Sequence, residues 1–213
     1  MRDVYHEELD SIGSTLVEMT GLVGTAMARA TAALLDADLQ VAESVISADD
    51  AVDELQHRLD DRALDLLARQ QPVAGDLRTI ITSLRMSADL ERMGDLARHI
   101  AKVARLRYPE IAVPEELRPM IQEMGRIAGE LAQKTAEIID GRDVDAAREL
   151  PEDDDEMDEL HRALFRALLD KKTDYSVETA IDVTLIGRYY ERFADHSVSV
   201  ARRLIFLVTG EHH

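Results

Sequence analysis

Glu91 and Asp95 stand four residues apart in DLERMGDLARHI, residues 89–100. Glu191 and Asp195 repeat the same E-R-x-x-D core in YYERFADHSVSV, residues 189–200. Two further acidic pairs share that spacing: Asp49 and Asp53 in ADDAVDELQHRL (48–59), and Asp154 and Asp158 in DDDEMDELHRAL (153–164). On a helix, residues four apart share one face, with Cβ atoms about 5–6 Å apart. Like charges so placed repel, and something must offset the cost. A cation does so: Mg²⁺, Mn²⁺ and Ca²⁺ take oxygen ligands, and Fe and Zn accept carboxylate with imidazole helping. His99, one turn beyond Asp95, is an open candidate, although its counterpart is Ser199. A single i,i+4 acidic pair is commonplace among 43 acidic residues. Alone it reads as a solvated face or as the partner of a neighbouring arginine. Matched pairs at corresponding places in two copies favour a cation site.

Other constellations are weaker. Glu54 and His57 form an E-x-x-H, the spacing of di-iron helical bundles, but the second copy has Glu159 and Arg162 instead. No glycine-rich phosphate loop, G-x-S-x-G or H-E-x-x-H occurs. A carboxylate-bridged metalloenzyme would need a base matched in both copies, and none is present. A purely structural helical scaffold is the third reading. The formal net charge of −18 repels phosphate backbones and anionic lipid heads, so no nucleic acid is expected as a partner. Absence of cysteine excludes disulfides and thiolate metal sites and fits a reducing cytoplasm. MRDVYHEELD offers no apolar leader, and the run LIFLV is far short of a membrane span, so no membrane insertion is expected. His212 and His213 are given no function.

The elements that must position these acids are helical. Aromatics are 4% of the chain and β-branched residues are sparse beside Ala, Leu, Glu and Arg, which predicts an all-α protein. Tyr5, Leu9, Ile12, Leu16, Met19, Val23, Ala26, Ala30 and Ala33 step by four and three, a seam for a helix over 4–36. Val41, Val45, Ala48, Val52, Leu55 and Leu59 predict a second over 38–69, stopped by Gln71-Pro72. A third runs over 73–106. YPEIAVPEEL, 108–117, with two prolines and no period, is a linker. A fourth helix follows from Leu117 and ends near Ile139–Asp140, with Gly141 terminating it. A fifth spans 143–172, a turn falls at Asp174–Ser176, and a sixth spans 176–208. Six long helices divided three and three predict two tandem antiparallel three-helix bundles, residues 1–110 and 111–213. Turn arithmetic then places the acids. Asp53 lies about 19 residues before the 71–73 turn and Glu91 about 19 after it, so the two reach one height. Asp158 and Glu191 lie about 16 residues either side of the second turn, and the argument repeats.

These segments carry a resemblance. QPVAGDLRTIITSLRMSADLERMGDLARHIAK (71–102), YYERFADHSVSVARR (189–203) and the D-x-x-x-D-E-L stretches at 49–55 and 154–160 are similar to those of the PhoU family. The likeness runs over nearly the whole chain and both repeats. It implies two three-helix bundles with a multinuclear metal site on each, of Fe, Zn, Mn or Mg ions. By motif, that role falls to Glu91, Asp95, Glu191 and Asp195, then to Asp49, Asp53, Asp154 and Asp158. It implies an accessory regulator and not an enzyme: a cytoplasmic adaptor, peripheral at the inner membrane face through its partners. Those partners are a phosphate-specific ABC transporter ATPase and a sensor histidine kinase, and the adaptor restrains the phosphate-starvation response. Homodimers are frequent in the family. The chain departs from the pattern where the family commonly has Asn, at His99 and Ser199. Its second repeat also lacks the Pro-Val-Ala-x-Asp-Leu-Arg segment.

Overall fold

The computed structural model describes residues 2–70, 72–170 and 175–211. Of the features named above, the side chain of Tyr5, Gln71, the 171–174 stretch and His212–His213 lie outside the described residues. The first apolar seam forms α1, Arg2–Asp36, and buries Leu9, Ile12, Leu16, Met19, Val23, Ala30 and Ala33. Ala37 then turns the chain through a left-handed conformation, φ 50°. Asp38 caps the next helix, its Oδ1 accepting from Val41 N at 3.0 Å.

The predicted second helix is broken at Asp49 into α2, Leu39–Ala48, and α3, Asp50–Gln70. No glycine or proline announces the break. The ladder tightens there: Val52 N donates to Asp49 O at 2.9 Å, while Asp53 N reaches the same oxygen at 3.4 Å. The change rotates the faces, so Asp49 is buried and Ala48, expected in the seam, is exposed. α4 spans Gly75–Arg107. The linker is less open than its composition suggests: Ala112 and Val113 are buried, and a 3-10 turn at Glu115–Leu117 leads into α5, Arg118–Gly141. Arg142, at φ 49°, takes the left-handed position at which α5 ends, and Gly141 stays within the helix. Asp143 caps α6, Val144–Leu168, accepting from Asp145 N and Ala146 N at 3.0 Å. Pro151 sits inside α6, where it removes one ladder donor without ending the helix. Ser176 caps α7, Val177–Thr209.

Packing across the two repeats is antiparallel. α1 runs against α5: Arg142 pairs with Asp10 at one end and Arg118 with Asp36 at the other. Close approach requires a small residue at Gly125, where a Cβ would lie 2.6 Å from Thr31 Cγ2. Thr31 Oγ1 in turn shares a 2.7 Å hydrogen bond with the buried Tyr190 hydroxyl of α7. α4 runs against α7, with Arg107 on Asp182 and Asp89 on Arg203. These four helices form the centre. α2–α3 flank the first repeat and α6 flanks the second, around one continuous apolar core. At one end of the molecule the start of α1, the start of α4, the end of α5 and the end of α7 converge around Leu9, Leu16, Met86, Ile139, Leu204 and Leu207. No helix among the described residues is long and apolar enough to cross a membrane.

Candidate metal centres on two acidic faces

The break at Asp49 lets the first acidic set converge. Asp49 and Asp53 stand close enough to Glu91 and Asp95 on α4 that the crowded charges act on the carboxyls of Asp49 and Glu91. The Asp49 side chain is only 5% exposed. Gly94 makes room for it: a Cβ there would lie 3.0 Å from Asp49 Oδ1 and 3.6 Å from Val23 Cγ1. Burial is the main influence on the Asp49 carboxyl and lifts it above the ordinary carboxylate range. Arg98 opposes that rise, and the charges of Asp53 and Asp95 add to it. Glu91 is raised first by burial, then by Asp95, with Arg92 opposing and Asp53 and Asp49 adding.

An arginine absent from the sequence reading lies within this set. Arg98 Nη1 stands 2.7 Å from Asp49 Oδ2, and its Nη2 donates to Asp95 Oδ1. One guanidinium therefore ties α4 to the α2–α3 break. The contact with Asp49 Oδ2 is an ion pair without hydrogen-bond alignment, so that oxygen keeps an unfilled acceptor site. Arg92 covers the outer side, with Nη1 3.0 Å from Asp95 Oδ2 and Nε 3.6 Å from Glu91 Oε2.

The second set, on α6 and α7, has no such bridge. Val198 occupies the position corresponding to Arg98 and is buried. Among the described residues no cation pairs with Asp154, Asp158 or Asp195. Arg188 reaches only Glu191, donating to its Oε1. Glu191 Oε2 is buried without a hydrogen-bond partner. Burial, then the charges of Asp158, Asp195 and Glu191, push the Asp154 carboxyl up to about 6. Glu191 is raised by burial and by Asp195, against the pull of Arg188. His161 stands beside this set, its Nε2 buried and unpartnered and its ring edge-on to Phe165 at 4.9 Å. Burial and the nearby Arg188 hold its pKa below the ordinary histidine value.

Acceptor-only oxygens crowded by like charge, one of them orphaned and buried, fit a hard cation in the second half. The first half offers the same donors with a guanidinium already among them. As the side chains stand, no three Asp, Glu or His groups among the described residues close on one point, so seating an ion would require rotamer changes. His99 turns away from the acids. Its Nδ1 lies 2.6 Å from Asp95 O of its own helix, and its ring packs on Tyr189 of α7 at 5.2 Å. Glu54 and His57 both face solvent.

Two ion clusters that composition and spacing do not reveal pin α4 to α7. Asp89 accepts from Arg203 Nε at 2.5 Å and contacts His196 Nδ1 at 3.1 Å. Asp182 accepts from Arg107 Nε at 2.5 Å and from Nη2 at 3.1 Å, and Arg107 also reaches Glu178. Both aspartates are nearly buried and lie close to an apolar seam, which was the available signal. Their partners lie on another helix and could not be read from spacing.

The fold and its faces define a tandem three-helix-repeat protein with one acidic face per repeat. Residues 16–104 and 121–204 each match the PhoU domain. Over 210 residues the chain is 51% identical to the phosphate-specific transport system accessory protein PhoU homolog 2 of Mycobacterium tuberculosis, covering 99% of each chain. It is 50% identical over 210 residues to PhoU homolog 1 of Mycobacterium leprae, covering 99% of this chain and 95% of that one. The crystal structure of PhoU from Pseudomonas aeruginosa superposes with a TM-score of 0.85 at 28% identity, over 97% of this chain and 100% of that one. The phosphate transport system regulatory protein PhoU from Streptococcus pneumoniae gives 0.88 at 27% identity, over 98% and 99%. The chain belongs to the PhoU family.

Proposed function

We propose that this chain is an accessory regulator of phosphate uptake, a homodimeric cytoplasmic adaptor between a phosphate-specific ABC transporter ATPase and a sensor histidine kinase. In that role it restrains the phosphate-starvation response and performs no catalysis itself. The observation that carries the reading is the end-to-end identity with relatives named as accessory proteins of phosphate-specific transport. Exposed apolar side chains at corresponding places in both repeats support a protein partner: Leu77 and Ile81 at the start of α4, Val177 and Ile181 at the start of α7. The acidic sets serve as sites for divalent or trivalent metal ions, Fe, Zn, Mn or Mg. Asp154, Asp158, Glu191 and Asp195 would hold one ion group, and Asp49, Asp53, Glu91 and Asp95 the other. Bound metal would neutralise the crowded carboxylates and cross-link the helices that carry them.

Co-purification of the full chain with the transporter ATPase and with the kinase sensor tests the adaptor role. Capture of both partners is expected, weakened by replacing Ile81 and Ile181 with Ser. Failure to capture either partner, with and without added phosphate and Mn²⁺, would overturn the role.

A further inference from the structure

The two acidic faces carry the same four carboxylates but different company. In the first, a guanidinium from the same chain lies where two helices meet, 2.7 Å from Asp49 and hydrogen-bonded to Asp95. In the second, the corresponding position is the buried aliphatic Val198, and Asp154, Asp158 and Asp195 have no cationic partner among the described residues. Arg98 is itself well placed, its side chain 28% exposed and its Nε buried. A cation entering the first set must displace a tethered positive charge from Asp49, whose side chain is 5% exposed. A cation entering the second meets crowded carboxylates and the orphaned Glu191 Oε2.

We infer that Arg98 is an internal counter-ion that makes the two centres unequal. The second-repeat centre takes metal first, and the first-repeat centre takes metal only when the Arg98 guanidinium swings out. The inference rests on the reading of both carboxylate sets as cation sites. The physical argument is one of competition. A buried ion pair is strongly favoured over its separated members once both are out of water, so the entering ion must replace what Arg98 already supplies. Arg98 would thereby set the order of filling. At high metal it would also be released toward solvent as a mobile positive charge on an otherwise acidic surface.

Calorimetric titration of the full, chelator-treated chain with Mn²⁺, with free Mn²⁺ followed by electron paramagnetic resonance, tests this. Unaltered protein should show two classes of site, and Asp154→Asn with Asp158→Asn should remove the tighter. In that background, Arg98→Val should tighten the remaining class by at least ~10-fold, since no guanidinium need be displaced. Arg98→Gln, which keeps polarity without charge, should act in the same direction. Circular dichroism would establish that each variant is folded. The metal-free Arg98→Val protein should melt lower than the unaltered chain and regain the loss with Mn²⁺. Equal affinity at both faces of the unaltered chain would overturn the inference alone. So would folded Arg98 variants that leave the weak class unchanged. Absence of Mn²⁺ binding in every variant would overturn the cation reading with it.

Discussion

Asp154 has the most strained electrostatic surroundings among the carboxylates. Burial and four neighbouring acids raise its carboxyl to about 6, above the ordinary carboxylate value that it has in the unfolded chain. A folded-state pKa above the unfolded one favours the folded protein below the unfolded value, and that favour is lost as pH rises through about 6. Metal-free protein should therefore be less stable at pH 7.5 than at pH 5 through this group. Asp154→Asn should raise the melting temperature of chelator-treated protein at pH 7.5 by ~2–4 °C, for about 1 kcal/mol. It should also diminish the further rise that Mn²⁺ gives the unaltered chain, leaving what the first-repeat centre contributes. Asp89 behaves oppositely. Burial raises its carboxyl, but the hydrogen bonds from His196 and Arg203 outweigh burial and the net shift is downward. Its contribution is present above the ordinary carboxylate value and is lost as pH falls through the lowered one. Asp89→Ala leaves the Arg203 guanidinium without its carboxylate at the α4–α7 seam and should cost about 2 kcal/mol, less than a fully buried pair because Arg203 is partly solvated. Urea unfolding at pH 7 measures that cost, and the difference from the unaltered chain should shrink in acid.

At the level of elements, the seams with strict four-three spacing were legible because long helices need little but a continuous apolar stripe. Leu9 to Ala33 is such a stripe, and the buried positions of α1 follow it. The acidic sets were legible too, because a turn of known position fixes which heights face each other on antiparallel rods. What escaped depends on tertiary contact. The break at Asp49 has no breaker residue; it coincides with a carboxylate buried against Gly94 and paired with Arg98. Arg98 itself is one of many arginines in the sequence, and only the spatial nearness of two helices singles it out. Pro151 errs the other way, a breaker by type that stays inside α6. The contact of α1 with α5 is exacting at one point. Gly125→Val would drive a side chain into Thr31, already 2.6 Å from the position of a bare Cβ. It should cost ~1–3 kcal/mol by overpacking. Restoring space with Thr31→Ala should recover part of that in a double-mutant cycle, whereas simple additivity of the two changes would show that the contact is not the cause.

For the molecule as a whole, the apolar core runs without interruption from one repeat to the other through α1–α5 and α4–α7. Buried ion clusters close the second of those seams. Units so joined should not unfold separately. Scanning calorimetry of chelator-treated protein should give one transition, with calorimetric and van't Hoff enthalpies in agreement. Two resolved transitions would show that the repeats are energetically separate. The convergence of Leu9 and Leu16 with Leu204 and Leu207 has a further consequence. The beginning of the first repeat lies beside the close of the second, while the segment that joins the repeats, near 108–114, carries none of the eight carboxylates of the two acidic sets. The order in which the repeats occur along the chain is then a matter of ancestry, not of packing. A short bridge across that shared end and a cut near residue 110 would produce a circular permutant with the second repeat leading, and both acidic faces would keep their place.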